Sequence, residues 1–127
     1  MDRSGLVGED GATHHGVLDI SYLRCIQNII ISAPKDGNEL RDLLYTATLN
    51  TTKPFTIRYP KEQSVKFEEK SPQKIEIGSW EVLKEGSDIL ILAVGSMVSK
   101  SLEIHSMLME KGISSEVVNC RFIKPMD

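Results

Sequence analysis

The sequence predicts an α/β protein made of parallel βαβ units, in two partial domains joined by a charged linker. Three observations predict it. The runs NIIISAP (28–34) and DILILAVG (88–95) are apolar on both faces and rich in β-branched residues, as buried strands of a parallel sheet are. Each is followed by a stretch with apolar residues at helical spacing, and then by a second strand-like run. Between the two blocks lies KEQSVKFEEKSPQK (61–74), where seven of fourteen residues are charged and only Val65 and Phe67 are clearly apolar.

Taken in order, the chain starts with a loop, RSGLVGEDGATHHG (3–16), shaped by Gly5, Gly8, Gly11 and Gly16. VLDISYLRCI (17–26) places Ile20, Leu23 and Ile26 for a short helix packed on a core. The strand 28–34 ends at Pro34. Asp36 then reads as an N-cap, with Glu39 as the reciprocal half of a capping box. Leu40, Leu43, Leu44 and Ala47 form the core stripe of the helix so opened, which ends near Asn50. PFTIRYP (54–60) is the second strand, and the connection length calls for a parallel pair with a right-handed crossover. After the linker, IEIGSWEVL (75–83) reads as an extended arm or hairpin with Trp80 as a packing anchor. The strand 88–95 is expected to be buried. Ser96 is placed to cap a helix whose face carries Val98, Leu102, His105, Leu108 and Met109, closed by Lys111 and Gly112. SSEVVNCRF (114–122) is one further strand. The expected boundaries are 1–62 for the first domain, 63–80 for the linker and 81–127 for the second.

Composition excludes more than it selects. The 127 residues carry a formal net charge of −3, which gives no reason to expect nucleic acid or a membrane surface as partner. No apolar run approaches the roughly 20 residues of a membrane helix, and MDRSGLVGED lacks the layout of a signal peptide. Cys25 and Cys120 lie far apart without ligand spacing and read as reduced, buried thiols of a cytoplasmic protein. His105 has no second residue spaced to join it on a metal. The last block holds one βαβ unit, whose exposed edges and faces suit a piece of a larger protein.

The loop is the candidate site. Asp10 is an obligate acceptor, and His14 and His15 can donate, accept or carry a proton near neutrality. Read without comparison, the same residues also fit a surface loop with solvated histidines.

GEDGATHHG, DISYLRCI, SAPKDGNELRDLL, RYPKE and VVNCRFIKPMD together resemble the 1-deoxy-D-xylulose-5-phosphate synthase family, within the thiamine-diphosphate-dependent transketolase superfamily. The likeness spans nearly all of the chain and is weakest over 62–76. It implies the second half of a transketolase-like pyrimidine-binding domain followed by the start of the C-terminal domain. It also implies a parent enzyme that condenses pyruvate with D-glyceraldehyde 3-phosphate and releases carbon dioxide. The product enters non-mevalonate isoprenoid synthesis and also serves as a thiamine and pyridoxal precursor. Thiamine diphosphate and Mg2+ would carry the carbanion chemistry. By resemblance, Asp10 and His14 line the substrate channel as catalytic residues, and Arg3 binds the aldehyde's phosphate. Thr13 would order the loop through a hydroxyl-to-backbone bond.

One departure stands out. Family members read RYPRG where this chain reads RYPKE, so Lys61 replaces the second phosphate-binding arginine and Glu62 replaces the glycine. Lysine binds phosphate as a point charge without the bidentate fork. Arg58 reads as a structural strand residue. The sequence also lacks the GDG with downstream asparagine that holds magnesium and the diphosphate, and the glutamate that activates the cofactor, so the chain alone is expected to be inactive. A homodimeric parent is expected, because family sites need more than one domain. Two other readings stay open: a transketolase-like or pyruvate-dehydrogenase-type subunit, and a non-catalytic remnant that binds a partner.

Overall fold

The computed structural model describes residues 1–50, 52–64 and 67–127. After the loop, α1 (Asp19–Arg24) leads into β1 (Ile30–Ser32), α2 (Gly37–Leu49) and β2 (Phe55–Ile57). The second half holds β3 (Glu81–Lys84), β4 (Ile89–Ala93), α3 (Met97–Met109), β5 (Ser115–Asn119) and β6 (Phe122–Lys124). β1 and β2 pair in parallel across α2, and β4 and β5 pair in parallel across α3, so both βαβ units form as expected.

Each parallel pair gains an antiparallel third strand that the sequence pattern does not announce. β3, from the expected arm, pairs with β5, giving the order β3-β5-β4. The expected single strand 114–122 divides. β5 stops at Asn119, and β6 crosses to the other sheet to pair with β1, giving β2-β1-β6. Ala33 N–H donates to the Arg121 carbonyl at the crossing. Phe122 is therefore buried in the first core with Ile30, Leu43, Ile57 and Ile75.

Ile75 reaches that core because the segment before it lies along α2. Arg41 stacks 5.7 Å from the Phe67 ring and donates to the Glu68 carbonyl, and Gln73 N–H donates to Asp42. Ile75 N–H donates to the buried Thr46 hydroxyl at 2.8 Å. Among the described residues of 63–74 there is no helix or strand, yet the path is fixed by these bonds; Val65, the apolar residue singled out beside Phe67, lies outside the described residues.

Several expectations change. Leu44 is 53% exposed, because the core stripe of α2 runs through Leu40, Leu43, Thr46 and Ala47. Ile26 is exposed as well, since α1 ends at Arg24 and only Leu23 of its apolar residues is fully buried. Asp36 caps α2 by accepting from Glu39 N–H at 2.8 Å, but Glu39 returns its bond to Lys35 N–H, one residue before the cap. β4 is not buried on both faces: Leu90 and Leu92 share a face and are 59% and 54% exposed, while Ala93 on the other face is buried. That strand is an edge, and α3 packs on one side of its sheet only. Ser96 makes no side-chain cap, its backbone already being helical. α3 closes as expected at Gly112, which has φ 76, with Ile113 N–H donating to the Leu108 carbonyl. Both cysteines are free, Cys120 buried but Cys25 exposed.

The two halves meet through a charged cluster. Glu39 on α2 is 4% exposed and accepts from the Asn119 side-chain amide at 2.8 Å. Lys35 bridges Glu39 at 3.3 Å and Glu81 of β3 at 2.7 Å. Arg121 lies 3.8 Å from Glu39 and donates to Ser79. Burial pushes the Glu39 carboxyl above its usual range, while Lys35 opposes the shift.

Candidate functional site

The loop 3–16 is closed at its base by backbone. Gly5 and Gly16 exchange hydrogen bonds, and Gly16 N–H also donates to the Arg3 carbonyl at 3.0 Å. A Cβ on Gly16 would strike that carbonyl oxygen and lie 2.9 Å from Ser4 Cα, so only glycine fits there. Arg3 itself sits at φ 59, a left-handed conformation uncommon outside glycine and asparagine. Ser4 N–H donates to the Tyr59 carbonyl, and Tyr59 N–H to that of Met1, so the loop's entry lies beside the end of β2.

This base puts Arg3 and Lys61 on one carboxylate. Arg3 Nε donates to Asp10 Oδ2 at 2.6 Å, and Lys61 Nζ to Asp10 Oδ1 at 2.8 Å. Asp2 adds a second carboxylate on Arg3. The Lys61 bond first, and then the Arg3 bond, hold the Asp10 carboxyl down at about 2. Asp10 is thus an anion and an acceptor throughout the neutral range, and it does not serve as an acid there. Beside it a cavity of about 220 Å³ is lined by Leu6, Val7, Gly8, Glu9, Asp10 and Lys61.

His14 stands apart from this cluster. It is exposed, closes a short 3-10 turn over Ala12–His14, and its Nδ1 lies 3.0 Å from the Thr13 hydroxyl. Thr13 therefore orders the histidine ring rather than the backbone bond expected of it, leaving the imidazole Nε2 open. His15 has the structural duty: its Nδ1 accepts from Val7 N–H at 3.0 Å, which puts its proton on Nε2.

Arg58 is unavailable to a ligand. Its Nε and Nη2 fork onto Asp19 at 2.6 and 3.3 Å, and the Asp19 side chain is 4% exposed. Sequence reasoning passed over Asp19, because a partner 39 positions away leaves no local signal. His105 packs against β5 with Nδ1 2.9 Å from the Ser115 carbonyl. Among the described residues no three His, Cys, Asp or Glu side chains are gathered to hold a metal ion. Among the described residues no helix is long and apolar enough to cross a membrane.

Comparison with known proteins matches the chain to a family. The transketolase pyrimidine binding domain matches residues 1–65, and the transketolase C-terminal domain matches 78–127. Over its whole length the chain is 56% identical to a 1-deoxy-D-xylulose-5-phosphate synthase of Dictyoglomus thermophilum and 54% identical to one of Aquifex aeolicus. It spans about a fifth of those relatives, 21% and 20% of their lengths. Among solved structures, a split-gene transketolase described as an inactive β4 tetramer superposes with a TM-score of 0.79 at 34% identity. That match covers 91% of this chain and 38% of the other. A Pichia stipitis transketolase mutant gives 0.79 at 26% identity, covering 96% of this chain and 18% of that one. The chain belongs to the transketolase family, and carries parts of its pyrimidine-binding and C-terminal domains.

Proposed function

We propose that the chain is the acceptor-binding part of a thiamine-diphosphate-dependent 1-deoxy-D-xylulose-5-phosphate synthase. The whole enzyme would condense pyruvate with D-glyceraldehyde 3-phosphate and release carbon dioxide. The observation that carries this reading is the meeting of Arg3 and Lys61, from two separate segments, on Asp10 just beyond the carboxyl end of β2. Ligands of α/β sheets bind at that end of the strands. The two cations would take the aldehyde's phosphate, Arg3 through the guanidinium N–H groups that Asp10 and Asp2 leave open and Lys61 as a point charge. Asp10, fixed as an anion, would orient both cations and accept from a substrate hydroxyl. His14, with Nε2 open, is the group able to move a proton at the acceptor carbonyl.

Among the described residues no three His, Cys, Asp or Glu side chains are gathered to hold the magnesium. In this reading the diphosphate and the magnesium are held by other parts of the enzyme. The 127 residues alone are expected to give no turnover.

The test uses the full-length enzyme that carries this chain, supplied with thiamine diphosphate and magnesium. Product from pyruvate and glyceraldehyde 3-phosphate supports the reading, whereas turnover only with a ketose donor would assign a transketolase instead. Lys61→Arg is expected to tighten glyceraldehyde 3-phosphate about threefold or more by calorimetry, since the fork adds a second charge-assisted bond. Unchanged affinity would mean that position 61 does not touch the phosphate.

A further inference from the structure

Lys61 lies three residues beyond Arg58, and Asp19 lies three residues beyond Gly16, where the loop closes. The Asp19–Arg58 fork therefore joins the two chain segments that leave the cluster. Both side chains are largely buried, 4% and 12% exposed. Asp19 opens α1, where a carboxylate commonly caps the helix, yet it makes no cap: the N-cap position is Leu18, without a side-chain bond. Among the described residues its carboxylate bonds to Arg58 alone. A buried ion pair is poor evidence of stabilisation, because apolar residues of similar volume often serve as well or better. Its geometry is better explained by direction. The two bonds of the fork fix the exit of β2 against the start of α1. The backbone bonds of Tyr59 with Met1 and Ser4 fix the same exit against the loop's entry.

We propose that Asp19 and Arg58 are positioning residues for the acceptor site: their fork sets Lys61 at its distance from Asp10 and Arg3. This rests on the reading of Arg3 and Lys61 as phosphate ligands. Neither member of the pair touches substrate. Their effect reaches the reaction through the placement of Lys61, so it falls on the phosphate-bearing substrate and spares pyruvate.

The experiment is steady-state kinetics of the full-length enzyme, with inorganic phosphate as a competitor of glyceraldehyde 3-phosphate. Asp19→Asn is expected to raise KM for glyceraldehyde 3-phosphate about tenfold, as misplacement of a binding group by a fraction of an ångström does, with kcat and the pyruvate KM within about twofold. The inhibition constant of inorganic phosphate should rise in parallel. Arg58→Lys keeps the buried charge but loses the fork, and should give the same split. Combined with Lys61→Met, Asp19→Asn should add nothing to the effect of Lys61→Met alone. A merely structural pair would instead lower kcat and alter both KM values together, or add to Lys61→Met, and either result overturns the proposal. If Asp19→Asn does not fold, Arg58→Lys decides by the same criteria. Should Lys61→Met raise the aldehyde KM while the folded pair variants leave it unchanged, the positioning role alone falls. Should Lys61→Met leave it unchanged, the phosphate reading falls and the positioning role with it.

Discussion

Phe122→Ala tests the least expected feature of the fold, the return of β6 to the first sheet. Phe122 is fully buried among Ile30, Leu43, Ile57 and Ile75, and its ring meets Phe55 edge-on with centroids 6.3 Å apart. Truncation removes the ring from a site bounded by a helix, two strands and the segment at Ile75, which cannot collapse together to refill it. The loss should be about 3–5 kcal/mol, the range for burying then deleting an aromatic ring, of which the edge contact accounts for about 0.5–1.5. Against a usual stability of roughly 5–15 kcal/mol, that is a large share. Denaturant unfolding of the purified chain measures it, as a fall in midpoint with the slope unchanged. Trp80 is the one tryptophan and donates from Nε1 to the Phe122 carbonyl at 2.8 Å, so its fluorescence reports on the same place. Val82→Ala on β3, where Val82 is 56% exposed, is the control and should cost no more than about 0.5 kcal/mol. Equal losses in the two variants would refute the docking of β6 on β1.

Two further outcomes are expected. Because Asp10 is held at about 2 by Lys61 and Arg3, its contribution is fully present above the ordinary carboxylate value of 3.8 and is lost as pH falls through about 2; an NMR titration of its carboxyl carbon that moved near 4 would show the two cations are not bound to it. Glu39→Ala should cost about 3–5 kcal/mol in denaturant unfolding, because it leaves Lys35 and Arg121 beside an emptied, buried position, with Glu39→Gln milder since the amide keeps an acceptor for Lys35 N–H; a loss as small as that of Val82→Ala would show that the cluster does not couple the halves.

What was legible in the sequence was local. The Asp36 cap, the α2 stripe through Leu43 and the glycine closure of α3 are set by spacing within a few residues, and they form where spacing puts them. The family likeness named Arg3, Asp10 and Lys61 one by one, but not their meeting on a single carboxylate, and periodicity could not join them, since residue 61 is 51 positions from residue 10. What failed was decided by neighbours in space. VVNCRF contains no breaker, yet the run changes sheets: Cys120 N–H still bonds the Ala93 carbonyl of the β4–β5 pair, and one residue on the Arg121 carbonyl accepts from Ala33 N–H of the first sheet. Leu90 and Leu92 have the composition of a buried strand, but burial depends on a covering layer that α3 supplies on one face alone.

The boundary drawn by sequence families is accordingly not a physical boundary. Residues 78–127 match a C-terminal domain, yet Phe122 from that stretch fills the first core and β6 covers the edge of β1. Without β6, β1 would present an unpaired edge, and Phe122 would leave the apolar core beneath α2 open to water. The strand so exposed is the one that pairs with β2, whose far end carries Arg58 and Lys61. Packing in the second domain therefore bears on the placement of the cation cluster through two strands of hydrogen-bonded sheet.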